Sequence, residues 1–482
     1  TQNGVRGGSA TVHFPIWHQE IEDILVLKNN KGTEDNRVRK LDYSIQISKL
    51  FYERFIKDED ITLFSPHECP DLYEAFGMPE FDEMYEKYER KTSITKKKIR
   101  AQTLFMDLLK ERAETGRIYI MNIDHCNTHS SFKDKVYMSN LCQEITLPTT
   151  PIKHIDDPDG EIALCILSAI NLGLIKEKDE LKDLCDLSVR ALEEIIDYQE
   201  YPVEAAKKST LARRSLGIGY IGLAHFLAKN KVKYDDKEAW KLVDEITEAF
   251  QYYLLKASNT LAKERGACEY FDKTKYSDGI LPIDSYKKDV DDLVNRKLSY
   301  DWNSLRKDIK ESGLRHSTLS AQMPSESSSV VSNATNGVEP PRDFLSIKKS
   351  KKGTLKQIVP DYNRLKNFYT LLWEMKSNEG YINTISVMQK YFDQAISGNW
   401  SYNPENYKDG EVPTSVMAND LLTTYKLGWK TSYYQNTYDA KSDVDEPSHS
   451  VGWHDDVKDD TKPREEFKTD EEDEESCEAC AI

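Results

Sequence analysis

No apolar stretch in the 482-residue chain approaches the ~18 residues that a membrane-spanning helix needs, so no membrane partner is expected. The opening residues Thr1-Gln2-Asn3-Gly4-Val5-Arg6-Gly7-Gly8 lack the apolar core of a signal peptide and do not begin with Met. They read as the start of a chain that begins inside a longer sequence or has been processed. Basic residues are outnumbered, 66 to 83 acidic: the net charge is −17, which repels nucleic-acid backbones and argues against nucleic acid as a partner. Cysteine is sparse too, with eight residues scattered except for one pair at the end. A secreted disulfide scaffold would be shorter and more regularly spaced, so the expected setting is reducing and cytoplasmic. No internal repeat of fixed period is present.

What is there reads as a globular body followed by a tail. Residues 1–437 form one mixed α/β unit. Helical periodicity runs through 182–199, with Leu184, Leu187, Ala191, Leu192, Ile195 and Ile196 on one side. It returns in 237–264, with Trp240, Val243, Ile246, Phe250, Leu254 and Leu261 on one stripe and Gly266 placed to end the helix. Short apolar runs suited to buried strands lie between, such as Ile118-Tyr119-Ile120 and Ile162 to Leu167. Their alternation with helices favours a parallel, barrel-like α/β core. From Asp439 onward there are 17 acidic and 5 basic residues, a net −12. Residues 438–482 are therefore expected to be a disordered acidic tail, too polar to offset the entropy of ordering.

The tail ends in Cys477-Glu478-Ala479-Cys480. Two thiols at this spacing can close a disulfide, one attacking a target and the other resolving it. Cys477 lies 43 residues beyond Tyr434, a flexible span of roughly 35 Å, enough to cross a domain. Half of a zinc site with His449 and His454 is the alternative. Acidic neighbours should raise the thiol pKa values, which favours a reducible store over a hot nucleophile.

Within the body, Asn140, Cys142 and Glu144 fall at alternate positions of Ser139-Asn140-Leu141-Cys142-Gln143-Glu144. In extended backbone they would share one face, a thiol flanked by an amide and a carboxylate. A core cysteine in a strand explains the same pattern. Cys165, inside an apolar run, reads as a buried inert thiol. Pro324-Ser325-Glu326-Ser327-Ser328-Ser329, followed by Asn333-Ala334-Thr335-Asn336-Gly337, offers hydroxyls and backbone N–H groups for an anion such as phosphate, or is simply a capped polar loop. Tyr433 and Tyr434 are either packing residues or a route for an electron and proton together.

Two patterns mislead. Gly217-Ile218-Gly219-Tyr220-Ile221-Gly222 fits a dinucleotide fingerprint, but Lys207 to Arg214 before it is not a buried strand, so close helix packing on glycine is expected. His125, Cys126 and His129 could be metal ligands, although a turn after a strand at 118–123 fits better. No metal site is expected on this chain.

These pieces, in this order, resemble the large subunit of class I ribonucleotide reductase, especially the enterobacterial and T-even-phage kind. The likeness is carried by Gly4-Val5-Arg6-Gly7-Gly8, Asn122 to His129, Ser139-Asn140-Leu141-Cys142, Pro324-Ser325-Glu326, Asn333 to Arg342, and Tyr433-Tyr434-Gln435-Asn436-Thr437. It implies a ten-stranded α/β barrel, here lacking its N-terminal strands. Cys142 would carry a thiyl radical that takes the 3′ hydrogen of a ribonucleoside diphosphate. Glu144 would act as base on the 3′ hydroxyl, and Asn140 would hold the substrate. Cys165 would be one of two thiols that reduce the 2′ position. Ser325, Glu326, Ser327 and Ser328 would meet the diphosphate. Tyr433 and Tyr434 would relay the radical from a metal-containing small subunit. Cys477 and Cys480 would re-reduce the active-site disulfide and be recharged by thioredoxin or glutaredoxin. Gln2 and Arg6 match the loop that couples effector binding to base selection.

The family's second reducing cysteine, its allosteric specificity site and its N-terminal ATP domain all precede that loop. The resemblance therefore implies a split large subunit whose N-terminal half is a separate chain, or else a shortened copy of an ordinary one. Nucleotide effectors would bind mainly in the missing part, and no cofactor is expected to bind this chain directly. An inactive remnant that only binds the small subunit or the N-terminal half is the non-enzymatic alternative. A cobalamin-dependent reductase would need no tyrosine relay, and a glycyl-radical enzyme would need a C-terminal glycine motif.

Overall fold

The computed structural model describes residues 8–350 and 353–439. Twelve strands appear in these residues: β1 (Thr11–Pro15), β2 (Asp42–Ile47), β3 (Asp60–Phe64), β4 (Lys96–Arg100), β5 (Ile118–Asn122), β6 (Ile166–Asn171), β7 (Leu216–Ile221), β8 (Leu345–Ser350), β9 (Gly353–Ile358), β10 (Trp400–Tyr402), β11 (Thr431–Ser432) and β12 (Gln435–Thr437).

Two arrays carry the site. The first is the sheet β1-β2-β5-β11, with β1, β2 and β5 parallel and β11 antiparallel to β5. Every residue of β2 and β5 is buried, as expected of central parallel strands covered on both faces. The second array pairs β6 with β7 in parallel. It continues through bridges from Ile218 to Ser320 and from Gln322 to Ile396. The chain around 318–322 and 394–397 thus extends that array. One hydrophobic cluster runs from Ile16 to Trp429.

Strand β5 lies where Ile118-Tyr119-Ile120 places it. The helix Lys237–Arg265 ends at Gly266, and all six stripe residues expected on it are buried. Among the described residues no helix is long and apolar enough to cross a membrane.

Among the described residues no closed barrel forms, and the outer edges of β1 and β6 have no strand partner. Closing a barrel needs strands on those edges. Other expectations are corrected. The helix Glu180–Tyr198 buries Leu181, Cys185, Val189, Leu192 and Ile196, while Leu187 and Ile195 are 65% and 44% exposed. That sequence holds two apolar stripes, and packing on the 237–265 helix and β6 selects the first. The run 162–167 becomes strand only from Ile166, where it meets Leu216 of β7.

The glycine motif is neither a phosphate loop nor a helix contact: Gly217 and Gly219 lie inside β7. A Cβ at Gly217 would come 2.6 Å from Leu167 Cδ2, and one at Gly219 would come 2.7 Å from the Ala321 carbonyl. Glycine there allows close approach between neighbouring strands. Residues of the acidic tail from 440 on lie outside the described residues.

Candidate active site

The segment 139–144 threads between the two arrays and is held by side chains from both. Thr11 Oγ1 donates to the Leu141 carbonyl at 3.0 Å, Ser44 Oγ to Gln143 Oε1 at 2.9 Å, and Thr431 Oγ1 to the Gln143 carbonyl at 2.8 Å. From the second array, Ser397 Oγ lies 2.5 Å from the Cys142 carbonyl and 3.1 Å from Glu144 Oε2. The segment is a turn rather than the extended run expected from its alternation, and Gln143 has φ +71°. Asn140, Cys142 and Glu144 therefore do not share a strand face. Asn140 Oδ1 accepts the backbone N–H of Ile145 at 3.1 Å, closing the turn on itself. Cys142 and Glu144 are both buried.

Cys142 belongs to a small buried cluster with Tyr119 and Tyr433, and Tyr434 packs against it. The Tyr433 hydroxyl donates to Cys142 Sγ at 3.4 Å. The rings of Tyr433 and Tyr434 lie 3.9 Å apart, and that of Tyr119 sits 4.8 Å from Tyr433 and 5.8 Å from Tyr434. The pair is not in a continuous strand: β11 stops at Ser432 and β12 starts at Gln435 on another sheet. Burial, with the adjacent Cys142, pushes the Tyr433 phenol well above its ordinary pKa, and burial also raises those of Tyr434 and Tyr119. All three phenols are neutral at physiological pH, so each holds a proton as well as an electron to give.

Cys165 sits just before β6, half-buried, with its thiol pushed up by burial. Gln394 Nε2 lies 3.7 Å from its sulfur and donates to the Leu216 carbonyl at 2.9 Å, while Gln394 Oε1 accepts the Thr146 N–H at 3.2 Å. Residues 394–397 thus join Cys165 to the segment bearing Cys142 and Glu144.

Ser325 to Ser328 open the six-residue helix Glu326–Val331, at the end of the 318–322 extension. Ser325 Oγ donates to the Met323 carbonyl and Ser328 Oγ to the Ser325 carbonyl.

No spacing in the sequence links Gln394, Ser397 or Tyr119 to Cys142. The closest signal for Tyr119 was its place in the buried run that became β5.

The His125 and Cys126 pair begins no turn: both lie in the helix Ile123–Thr128. His125 stacks on Tyr425 at 4.3 Å and its Nδ1 meets the Trp429 carbonyl, while His129 bridges Ser285 Oγ and the Gln389 carbonyl. Burial pushes the Cys126 thiol up to about 12. These rings serve packing between helices and loops. Gln2, Arg6, Cys477 and Cys480, and with them His449 and His454, lie outside the described residues.

Residues 1–435 match the family described as ribonucleotide reductase, barrel domain. The chain belongs to that family. Among its relatives, the ribonucleoside-diphosphate reductase subunit alpha of Haemophilus influenzae is 59% identical over 451 residues, covering 92% of this chain and 60% of the relative. The ribonucleoside-diphosphate reductase 1 subunit alpha of Escherichia coli is 55% identical, covering 92% of this chain and 59% of the relative. That of phage T4 is 44% identical, covering 92% and 60%. The chain thus spans about 60% of the length of these relatives. For a member of the ribonucleotide reductase family, the turn at 139–144 with its thiol against a tyrosine pair is the feature around which function must be read.

Proposed function

We propose that this chain is the larger, C-terminal part of a ribonucleoside-diphosphate reductase large subunit, and that it reduces ribonucleoside diphosphates to deoxyribonucleotides by thiyl-radical chemistry. The observation that carries the reading is the contact of the Tyr433 hydroxyl with Cys142 Sγ at 3.4 Å, with the Tyr434 ring packed behind Tyr433 at 3.9 Å and tilted by 35°. An oxidising radical centre on a partner small subunit takes a hydrogen atom from Tyr434. The Tyr434 oxygen radical takes the hydrogen of Tyr433, and the Tyr433 oxygen radical takes that of the Cys142 thiol. Each transfer moves one proton and one electron, and the last leaves sulfur with the unpaired electron.

Cys142 then abstracts the 3′ hydrogen of the ribose, while Glu144 receives the proton of the 3′ hydroxyl as general base. Asn140 and Ser325, Glu326, Ser327 and Ser328 hold the sugar and diphosphate. Cys165 supplies one of the two thiols that reduce the 2′ carbon as its hydroxyl leaves as water. The partner thiol comes from an N-terminal polypeptide, which also brings the effector sites that Gln2 and Arg6 couple to substrate choice. Among the described residues the outer edges of β1 and β6 are unpaired, which supports such a complement, because a parallel sheet is normally covered and paired. Cys477 and Cys480 return the resulting disulfide to thiols and are themselves reduced by thioredoxin or glutaredoxin.

The test is reconstitution. This chain, a polypeptide with the missing N-terminal region and a small subunit are mixed, and deoxynucleotide formation is measured. Activity is expected from the mixture and from no component alone. Full activity in Cys142→Ser would remove the radical role from that sulfur.

A further inference from the structure

Consecutive side chains in an extended strand point to opposite faces, so neighbouring tyrosines stack only where that alternation is broken. The break falls between β11 and β12, inside the core, and it takes the Tyr433 carbonyl out of the ladders, while the Tyr434 carbonyl stays at the end of the β10–β12 ladder. Buried carbonyls removed from a ladder need other donors. Arg112, on the helix Ala101–Thr115, supplies them. Its Nη1 donates to the Tyr433 carbonyl at 2.7 Å and also to the Ile118 carbonyl of β5. Its Nη2 lies 3.2 Å from the Tyr434 carbonyl, which also receives the Trp400 N–H at 2.8 Å. The guanidinium carbon sits 4.6 Å from the centre of the Trp400 ring, and the side chain is fully buried.

Among the described residues no ion pair joins Arg112 to a carboxylate; the ionisable groups that act on it are the phenols of Tyr402 and Tyr119. Burial lowers its pKa only to about 10, so the charge persists at neutral pH. An unpaired buried cation is costly, and an apolar residue would fill the space more cheaply. Three carbonyls, one from β5 and two from the break between β11 and β12, need the forked donor set that only a guanidinium offers.

We propose that Arg112 is the positioning residue of the tyrosine pair. It holds the two carbonyls in the geometry that brings the rings to 3.9 Å. The inference rests on the reading of Tyr433 and Tyr434 as a radical relay: hydrogen passes from Tyr433 to the Tyr434 oxygen radical, then from Cys142 to the Tyr433 oxygen radical, with no net charge created at either step.

The experiment compares Arg112→Gln and Arg112→Lys in the reconstituted reductase. Arg112→Gln is expected to lower kcat by at least about tenfold with KM for the nucleoside diphosphate changed less than about twofold, because ground-state binding is untouched. Arg112→Lys, which keeps the charge but not the fork, should fall between. Fluorotyrosine placed at 434 in this chain gives a readout independent of turnover: its fluorine resonance, shifted by the stacked Tyr433 ring, should move in Arg112→Gln. Full turnover with an unmoved resonance in both variants would overturn the proposal. Full turnover in Tyr433→Phe would instead overturn the relay reading, and the fluorine resonance would still decide whether Arg112 positions the pair. If Arg112→Gln does not fold, Arg112→Lys carries the test, with wild-type kcat and resonance counting against the proposal.

Discussion

The Ser397 hydroxyl lies within 3.1 Å of Glu144 Oε2 and within 2.5 Å of the Cys142 carbonyl, so one side chain of the second array fixes both chemical groups of the turn. Ser397→Ala removes that tie and the single O–H that the two buried acceptors share. A stability loss of about 1–3 kcal/mol is expected, together with a lower kcat in the reconstituted enzyme. Thermal unfolding and steady-state kinetics on the same preparation check both; wild-type kcat would mean that Glu144 is held well enough without Ser397.

Tyr433→Phe deletes one oxygen and keeps the ring. The stack on Tyr434 should survive, and stability should change by no more than roughly 1.5 kcal/mol. Deoxynucleotide formation should nonetheless disappear while nucleoside diphosphate still binds. Equilibrium binding alongside the activity assay separates these outcomes, and retained turnover would exclude a hydrogen-atom route through that hydroxyl.

Gly217→Ala places a methyl group 2.6 Å from Leu167 Cδ2 and 2.9 Å from Cys165 Sγ. Both neighbours are side chains and can move, at a cost of about 1–3 kcal/mol typical of overpacking. Displacement of Cys165 should slow disulfide formation at the active site more than it slows Cys142 radical formation. Gly219→Ala meets the Ala321 carbonyl at 2.7 Å and should be the more damaging of the two. A reversed order in unfolding experiments would contradict the strand packing described for β7.

Glu193 lies buried under three cationic or ionisable groups. Burial favours its protonated form, but hydrogen bonds from His316, Arg214 and Arg315 outweigh this and hold its carboxyl far below the usual range. A depressed carboxylate pKa adds stability that is complete above the unfolded-state value near ~4.3 and is lost as pH falls below it toward the folded value. Glu193→Gln should therefore be less stable at neutral pH and lose less on acidification. Denaturant titrations between about pH 7 and 3 measure this; parallel pH curves for the two proteins would refute it.

Much of the fold was legible because it depends on local pattern. The 237–265 helix and β5 follow directly from apolar spacing, and the tyrosine pair and Cys142 stood out as residue types. What was not legible depends on partners distant in sequence. Ser397 meets Cys142 from 255 residues away, and Arg112 meets Tyr433 from 321 away. The alternation around Cys142 pointed to a strand, yet hydrogen bonds from Thr11, Ser44, Thr431 and Ser397 impose a turn. Leu187 and Ile195 were misassigned because two apolar stripes on one helix cannot be ranked without knowing what lies beside them.

The edges of β1 and β6 that are open among the described residues have a practical consequence for handling the protein. Each presents a row of backbone donors and acceptors flanked by half-buried side chains. Such edges invite pairing with whatever strand is available, including another copy of the same chain. Produced by itself, the polypeptide should self-associate and precipitate, and co-expression with a chain that pairs those edges should keep it in solution, making recovery in the supernatant a simple screen for any such chain.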